Sequence, residues 1–297
     1  MEHPSSRMLR LTLMGGGARV FLCDVTRMAR QAREIHHASN TASAALGRLI
    51  AGASIMGANL KSDGDRITVT LSGNGPGSPL CAVAGPNGHV KVTCENPETE
   101  LPLSAKGKLD VGGFVGREGN LKVIRSYGFG DPYVGQVKLV SGEIAEDFAM
   151  YYLESEQIPS LCALGTLVGE DVIASGGILI QAMPECPDSL IDALEIRAEL
   201  FGAISQLLSE MTLEEIAERC FAGLEPEILE EQPLELHCDC SLETIEKAIL
   251  AMGKDEIEDM IRTEHGCEVT CHFCRRAYRL TQEDLEQLLD EAKGENS

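Results

Sequence analysis

Apolar and polar positions change rhythm twice along the chain, and the changes divide it into three parts. Residues 8–14 (MLRLTLM) and 18–25 (ARVFLCDV) read as strands on either side of Gly15-Gly16-Gly17, a hairpin turn. Residues 26–60 read as two helices separated near residues 36–40. The second, TASAALGRLIAGASIMGANL, carries Ala and Gly on nearly every face, which predicts a helix that other elements approach closely. Residues 65–72 (DRITVTLS) alternate as a strand until GNGPGSP breaks them. Further strands are predicted at 79–84, 89–94, 111–115, 121–126 and 134–140, with Gly, Pro and Asn in the turns between them. A helix over 143–156 and apolar strands over 161–168 and 172–182 complete an α+β domain of antiparallel sheet and packed helices.

The rhythm changes at Met183-Pro184-Glu185-Cys186-Pro187. Over residues 188–209 one helical face holds Leu190, Leu194, Phe201, Ile204 and Leu208, and the other holds Asp192, Glu195 and Glu199. A short helix follows, opened by Thr212 with Glu215 three residues on, a capping box. Pro226 and Pro233 then bracket an acidic connector, EILEEQ. This middle segment is too small to own a core, so its apolar face must rest on the N-terminal sheet. That makes it a candidate for a detachable element. From residue 234 the chain reads as two short helices (242–251 and 254–263), a strand (278–280) and a last helix capped by Thr281 and Asp284. The expected organisation is an α+β core over 1–182, an acidic helical middle segment over 183–233 and a small α/β module over 234–297.

Charge sharpens that division. Of the net −22, residues 179–297 hold 9 Lys and Arg against 29 Asp and Glu, while residues 1–178 hold 16 against 18. Nucleic acid is excluded as a partner, and the C-terminal part repels itself, which favours its unfolding. Arg7, Arg10 and Arg19 interrupt any signal-like apolar core, and Arg48 interrupts the best membrane candidate, so neither export nor a membrane partner is expected. Eleven cysteines, an odd number with five in the last sixty residues, describe a reducing, cytoplasmic protein rather than a disulfide scaffold. The other six (Cys23, Cys81, Cys94, Cys162, Cys186, Cys220) read mostly as buried small hydrophobes.

Cys238-Asp239-Cys240, thirty intervening residues, and Cys271-His272-Phe273-Cys274 supply the chemistry. Two close thiol pairs separated by a small fold make a tetrahedral four-thiolate cage for Zn2+. The module has too few apolar residues to fold alone, and binding free energies of about 10–16 kcal/mol in small zinc modules would become its folding free energy. Cys267, His237, His265 and His272 lie near in sequence as alternative ligands, and Cys267 also as an extra redox partner. A purely structural zinc module and a zinc or thiol oxidoreductase using Cys271 and Cys274 are the competing readings. Catalytic zinc needs an open position that four cysteines leave none of. No nucleotide fingerprint or Ser-His-Asp grouping gives the N-terminal domain an enzymatic role, and His36 and His37 read as a solvated pair at a helix end.

With both cysteine pairs in view, the chain resembles the redox-regulated bacterial holdase chaperones, the thirty-three-kilodalton heat-shock protein family. Cys-x-Cys followed about thirty residues later by Cys-x-x-Cys is that family's zinc signature. The stretch YGFGDPYVGQVKLVSGEIAEDFAMYYLESEQIPS (127–160), the small-residue helix at 41–60 and GCEVTCHFCRRAYRL (266–280) extend the resemblance over nearly the whole chain. It implies one zinc ion per chain held by Cys238, Cys240, Cys271 and Cys274 in a reduced, inactive state. It further implies that oxidants join Cys238 to Cys240 and Cys271 to Cys274 as disulfides, that zinc leaves, and that the module and middle segment unfold. The active protein, a homodimer, then captures unfolding client proteins without ATP through residues 1–182. Release of the middle helices would expose Leu190, Leu194, Phe201 and the sheet beneath them.

Overall fold

The computed structural model describes residues 5–294. The chain divides into two compact units, one ending at His237 and the other beginning at Cys238.

In the first unit, β1 (Arg7–Leu13) and β2 (Ala18–Asp24) form a hairpin, then α1 (Thr26–His36) and α2 (Asn40–Gly57) follow. Gly15 and Gly16 take φ of 64° and 107° in the hairpin turn, a region open to glycine at little cost. Strands β3 (Arg66–Ser72), β4 (Leu80–Ala84) and β5 (His89–Cys94) precede the short helix α3 (Val111–Val115). Next come β6 (Asn120–Ser126), β7 (Tyr133–Lys138), α4 (Ala145–Glu154), β8 (Ser160–Val168) and β9 (Val172–Ala182). Helices α5 (Asp188–Ile196), α6 (Ala198–Gly202), α7 (Ile204–Glu210) and α8 (Leu213–Cys220) lead to β10 (Glu227–Pro233) and β11 (Glu235–Leu236). One antiparallel sheet has the order β10-β1-β2-β9-β8. The other has the order β11-β5-β4-β3-β6-β7 and is antiparallel except for the two-residue β11–β5 pair.

Helix α2 is the centre of this unit. Sixteen of its eighteen residues are buried, and it touches β8 and β9 of one sheet and β3, β4 and β5 of the other. A helix contacted on every side needs small residues, which accounts for its Ala, Gly and Ser composition. Ser39 caps it, accepting from the Ala42 N–H at 3.1 Å. Its one charged side chain, Arg48, reaches the Glu143 carboxylate at 2.6 Å.

The first sheet has no polar face. Met8, Phe21, Cys23 and Leu179 point into the core around α2. Leu9, Leu11, Leu13, Val20, Leu22 and Ile178 point the other way, into a second core closed by Leu190, Leu194, Phe201, Ile204 and Ile216 from α5–α8 and by Phe221 just after α8. The amphipathic middle helices therefore lie on this sheet. Arg7 fastens them further, forking to both Glu214 oxygens on α8 at 2.6 and 2.7 Å and to Glu231 on β10 at 3.1 Å.

Four local expectations are corrected. Residues 111–115 form a helix instead of a strand, because the Asp110 carboxylate accepts from the Gly113 N–H at 2.9 Å and caps the turn. The helix expected over 188–209 is three pieces, breaking at Arg197, whose guanidinium donates to the carbonyls of Ala193 and Ala222 at 2.9 and 3.0 Å, and at Ala203. The acidic connector is an edge strand, β10, whose Glu230 and Glu231 meet Arg10 and Arg7 of β1, and whose Pro233 ends the pairing. His36 is buried with Nε2 2.9 Å from the Val92 carbonyl oxygen, and only His37 takes the exposed helix-end position.

Two outcomes follow from this packing. A methyl on Gly52 would lie 2.6 Å from the Phe148 ring. Helix propensity favours Ala by about 1 kcal/mol, but overpacking costs about 1–3 kcal/mol, so Gly52→Ala is expected to lower the thermal midpoint. A raised midpoint would show that the α2–α4 contact can relax. The second outcome concerns pH. The hydrogen bond from Arg7 holds the Glu214 carboxyl below its ordinary value, so its stabilising contribution is present above the usual glutamate range and lost as pH falls through the lowered value. Arg7→Ala should therefore destabilise near neutrality by on the order of 1 kcal/mol, the Glu214 side chain being partly exposed, and by progressively less as pH falls below the usual glutamate range. Thermal midpoints of the two proteins between pH 3 and 7 test this, and a constant gap would contradict it.

Candidate metal centre

The second unit packs α9 (Leu242–Leu250), α10 (Lys254–Glu264), the hairpin β12 (Gly266–Thr270) and β13 (Ala277–Thr281), and α11 (Gln282–Gly294) around a small core. Ile249, Ile257, Leu280, Leu285, Leu288 and Leu289 form that core. So few apolar side chains close only a marginal interior, and units of this size usually need a staple. Local chemistry sets the ends of the helices. Ser241 opens α9 by accepting from the Thr244 N–H at 3.2 Å. At the start of α11 the Asp284 carboxylate accepts from the Thr281 N–H at 2.7 Å, while Thr281 Oγ1 accepts from the Asp284 N–H.

Cys238 and Cys240 lie on the extended chain just before Ser241. Cys271 and Cys274 lie in the turn of the β12–β13 hairpin. That turn is a tight knuckle: Cys271 N–H donates to the Arg276 carbonyl and Arg275 N–H to the Cys271 carbonyl, each at 2.9 Å. Arg275 takes a left-handed φ of 58° within that knuckle. All four sulfurs lie within 4.8 Å of one another. Across the two pairs, Cys238 Sγ is 3.7 Å from Cys271 Sγ, and Cys240 Sγ is 3.3 Å from Cys274 Sγ. Four thiolates at about 2.3 Å from a tetrahedral zinc ion would stand roughly 3.8 Å apart, so the donor set fits that ion in number, type and spacing.

Electrostatics within the cluster are uneven. Burial pushes the Cys240 thiol up, but hydrogen bonds from the Tyr278 hydroxyl and from Cys274, Cys238 and Cys271 outweigh it and bring the group to about 7. Burial raises Cys238 and Cys274, and hydrogen bonds to Cys271 and Cys240 add to the rise. One thiolate thus suppresses its neighbours, and four together call for a cation. Elsewhere burial alone dominates: it pushes Cys162 up to about 12 and raises Cys23, Cys81 and Cys220. Those thiols are inert by comparison.

Three of the four alternative ligands are occupied otherwise, and His272 is exposed. Cys267, on β12, packs against the small core, and burial raises its thiol. His265 ends α10 in a left-handed turn, its Nδ1 3.3 Å from Gln282 Oε1. The His237 ring stacks on His89 at 4.4 Å. Among the described residues, the group able to hold a metal ion is Cys238, Cys240, Cys271 and Cys274. Sequence reasoning overlooked Tyr278, whose hydroxyl lies 3.1 Å from Cys240 Sγ. A tyrosine in a short strand carries no signal of that contact.

Comparison with known proteins adds an independent line. The family model described as "Hsp33 protein" matches residues 6–281. A 33 kDa chaperonin of Clostridium perfringens is 40% identical over 291 residues, covering 97% of this chain and 92% of the relative. One from Alkaliphilus metalliredigens is 39% identical, with 97% and 99% covered. The crystal structure of the 33 kDa chaperonin (heat shock protein 33 homolog) of Thermotoga maritima superposes with a TM-score of 0.88 at 34% identity, covering 98% of this chain and all of that one.

A dication whose tetrahedral shell takes all four sulfurs predicts a steep loss on removing one. Altering even an outer partner of a ligand costs about 10–100-fold in metal affinity, so Cys271→Ser should cost at least about a hundredfold. Competition against a chromogenic chelator measures this. Undiminished affinity would mean that Cys271 is not a ligand.

Proposed function

The chain belongs to the Hsp33 family, and on that premise we propose that it is a redox-regulated, ATP-independent chaperone whose switch is the four-cysteine cluster. In the resting state Cys238, Cys240, Cys271 and Cys274 hold one zinc ion. The observation that carries this reading is the convergence of four sulfurs, from the two ends of a module with little core, to within 4.8 Å. Bound zinc supplies the positive charge that keeps the four sulfurs together as thiolates, the oxidisable form.

Oxidation of the pairs Cys238–Cys240 and Cys271–Cys274 to disulfides removes the four anionic donors. Which sulfurs pair decides the outcome. Contacts of 3.7 and 3.3 Å run across the pairs, from Cys238 to Cys271 and from Cys240 to Cys274. A disulfide across the pairs would preserve the staple between the module's start and its knuckle, whereas one within each pair releases it. Loosening then begins one residue after His237, at the end of the chain that β11 and β10 pin to β5 and β1. The segment from Met183 to Pro233 is heavily acidic, and once its strand and helices loosen, self-repulsion opposes their return. The apolar face of Leu9, Leu11, Val20 and Leu22 becomes available to unfolded client proteins.

Residues 1–182 are the client-binding and dimerisation core in this reading, the active form is a homodimer, and the protein works in the cytoplasm without nucleic acid or membrane partners. Among the described residues no helix is long and apolar enough to cross a membrane. A thioredoxin-like oxidoreductase is disfavoured because Cys271 and Cys274 sit in a hairpin turn and do not open a helix. The remaining alternative is a purely structural zinc module.

Light scattering from a chemically unfolded model client separates these readings. The protein is added either reduced and zinc-loaded or after peroxide at mildly raised temperature, with zinc release read by a chelator. Suppression of aggregation only by the oxidised, zinc-free protein is expected. Loss of zinc without gain of that activity would leave the cluster structural. Peptide mapping of the active form should find the two within-pair disulfides, and disulfides across the pairs would contradict the release step.

A further inference from the structure

One hydroxyl is aimed at the sulfur cluster from outside it. Tyr278, four residues beyond Cys274, places its phenol oxygen 3.1 Å from Cys240 Sγ and 3.0 Å from the Cys240 carbonyl oxygen. Its direction is set by the sheet. Tyr278 pairs with Val269 across the hairpin, and Leu280, the next residue of the same parity, is buried in the module's core. The ring is therefore delivered to Cys240 by a strand anchored one step further along.

A phenol has a single proton, so it cannot donate fully to both acceptors at once. The charge on sulfur decides between them. A thiolate is a strong acceptor of a charge-assisted hydrogen bond, whereas a neutral disulfide sulfur competes poorly with a peptide carbonyl. We propose that Tyr278 is a positioning residue of the switch: its hydroxyl donates to the Cys240 thiolate, holds that sulfur at the cage and slows its oxidation, then turns to the Cys240 carbonyl once the sulfur is oxidised. The inference rests on the redox-switch reading above and adds what sets the oxidant threshold at one of the four sulfurs.

The chemistry shows where the hydroxyl acts. With hydrogen peroxide as oxidant, a lone pair of the Cys240 thiolate attacks one peroxide oxygen and the O–O bond breaks. The sulfur becomes a sulfenic acid, and the departing hydroxide takes a proton to become water. The Cys238 thiolate then attacks that sulfur, expelling a second hydroxide that leaves as water, and the S–S bond forms. Two electrons pass from the two sulfurs to one peroxide, which ends as two waters. The lone pair that opens the sequence is the one Tyr278 engages, so the hydrogen bond opposes the first step and has no bearing on the second.

Tyr278→Phe in the full-length, zinc-loaded protein removes the hydroxyl and keeps the ring. A hydrogen bond to a charged group is worth roughly a factor of ten, so at fixed peroxide the variant should release zinc about tenfold faster. Time-resolved alkylation with mass spectrometry should show Cys240 oxidised earlier relative to Cys274. The thiolate-to-metal band of the cobalt(II) form should shift, reporting the altered donor directly, while the thermal midpoint stays within a few degrees. Release and alkylation rates equal to the wild type, in a wild type that does lose zinc on oxidation, would overturn the inference. So would equal acceleration at all four cysteines with a lowered midpoint, since that marks a ring that only packs. A wild type that keeps its zinc under peroxide would remove the redox-switch reading itself, and the inference with it.

Discussion

A sheet with two apolar faces cannot stand in water, and the first unit is built around that constraint. One face of β10-β1-β2-β9-β8 is covered by α2, a helix so small in its side chains that two sheets can close on it. The other face is covered by α5–α8, which bring apolar residues inward and carboxylates outward. The two covers differ in kind. Helix α2 is enclosed on all sides, whereas the acidic helices form an outer layer fastened at its margin by Arg7, which reaches Glu214 on α8. Apolar burial of a few side chains per helix outweighs the repulsion among their outer carboxylates only while the layer stays ordered.

The second unit faces the opposite problem. Its interior is too small to hold it firmly, and its strongest potential cross-link is ionic: four sulfurs drawn from residues thirty apart to one point. Uncompensated, those sulfurs compete for charge, as the lowered Cys240 and the raised Cys238 and Cys274 show. A module stapled in this way has its stability concentrated in one reactive spot.

Much of this was legible in the sequence wherever a residue type has one dominant physical use. Thr212 with Glu215 and Thr281 with Asp284 announced their helices, and both capping pairs are present. The Ala, Gly and Ser run of α2 foretold close approach on every side, and the cysteine spacing foretold the cluster. Legibility failed where tertiary partners decide. The run VGGFV reads equally as strand or helix until Asp110 caps it, and EILEEQ reads as solvated linker until Arg7 and Arg10 receive its carboxylates. The break at Arg197 depends on the Ala222 carbonyl, twenty-five residues away. At the site, the four-cysteine cluster was written in the spacing, but the hydroxyl contact to Cys240 arises from strand register, which no local pattern encodes.

Strand β10 carries one more consequence. It runs along β1 from Arg7 to Thr12, so the acidic segment covers a main-chain edge as well as a layer of side chains. An uncovered edge offers a row of N–H and C=O groups that any extended polypeptide can join without regard to its sequence. Lifting this segment would therefore change what the molecule displays, adding the generic grammar of the backbone to the greasiness of the face beside it. Chains that have lost their own folds have that grammar in common.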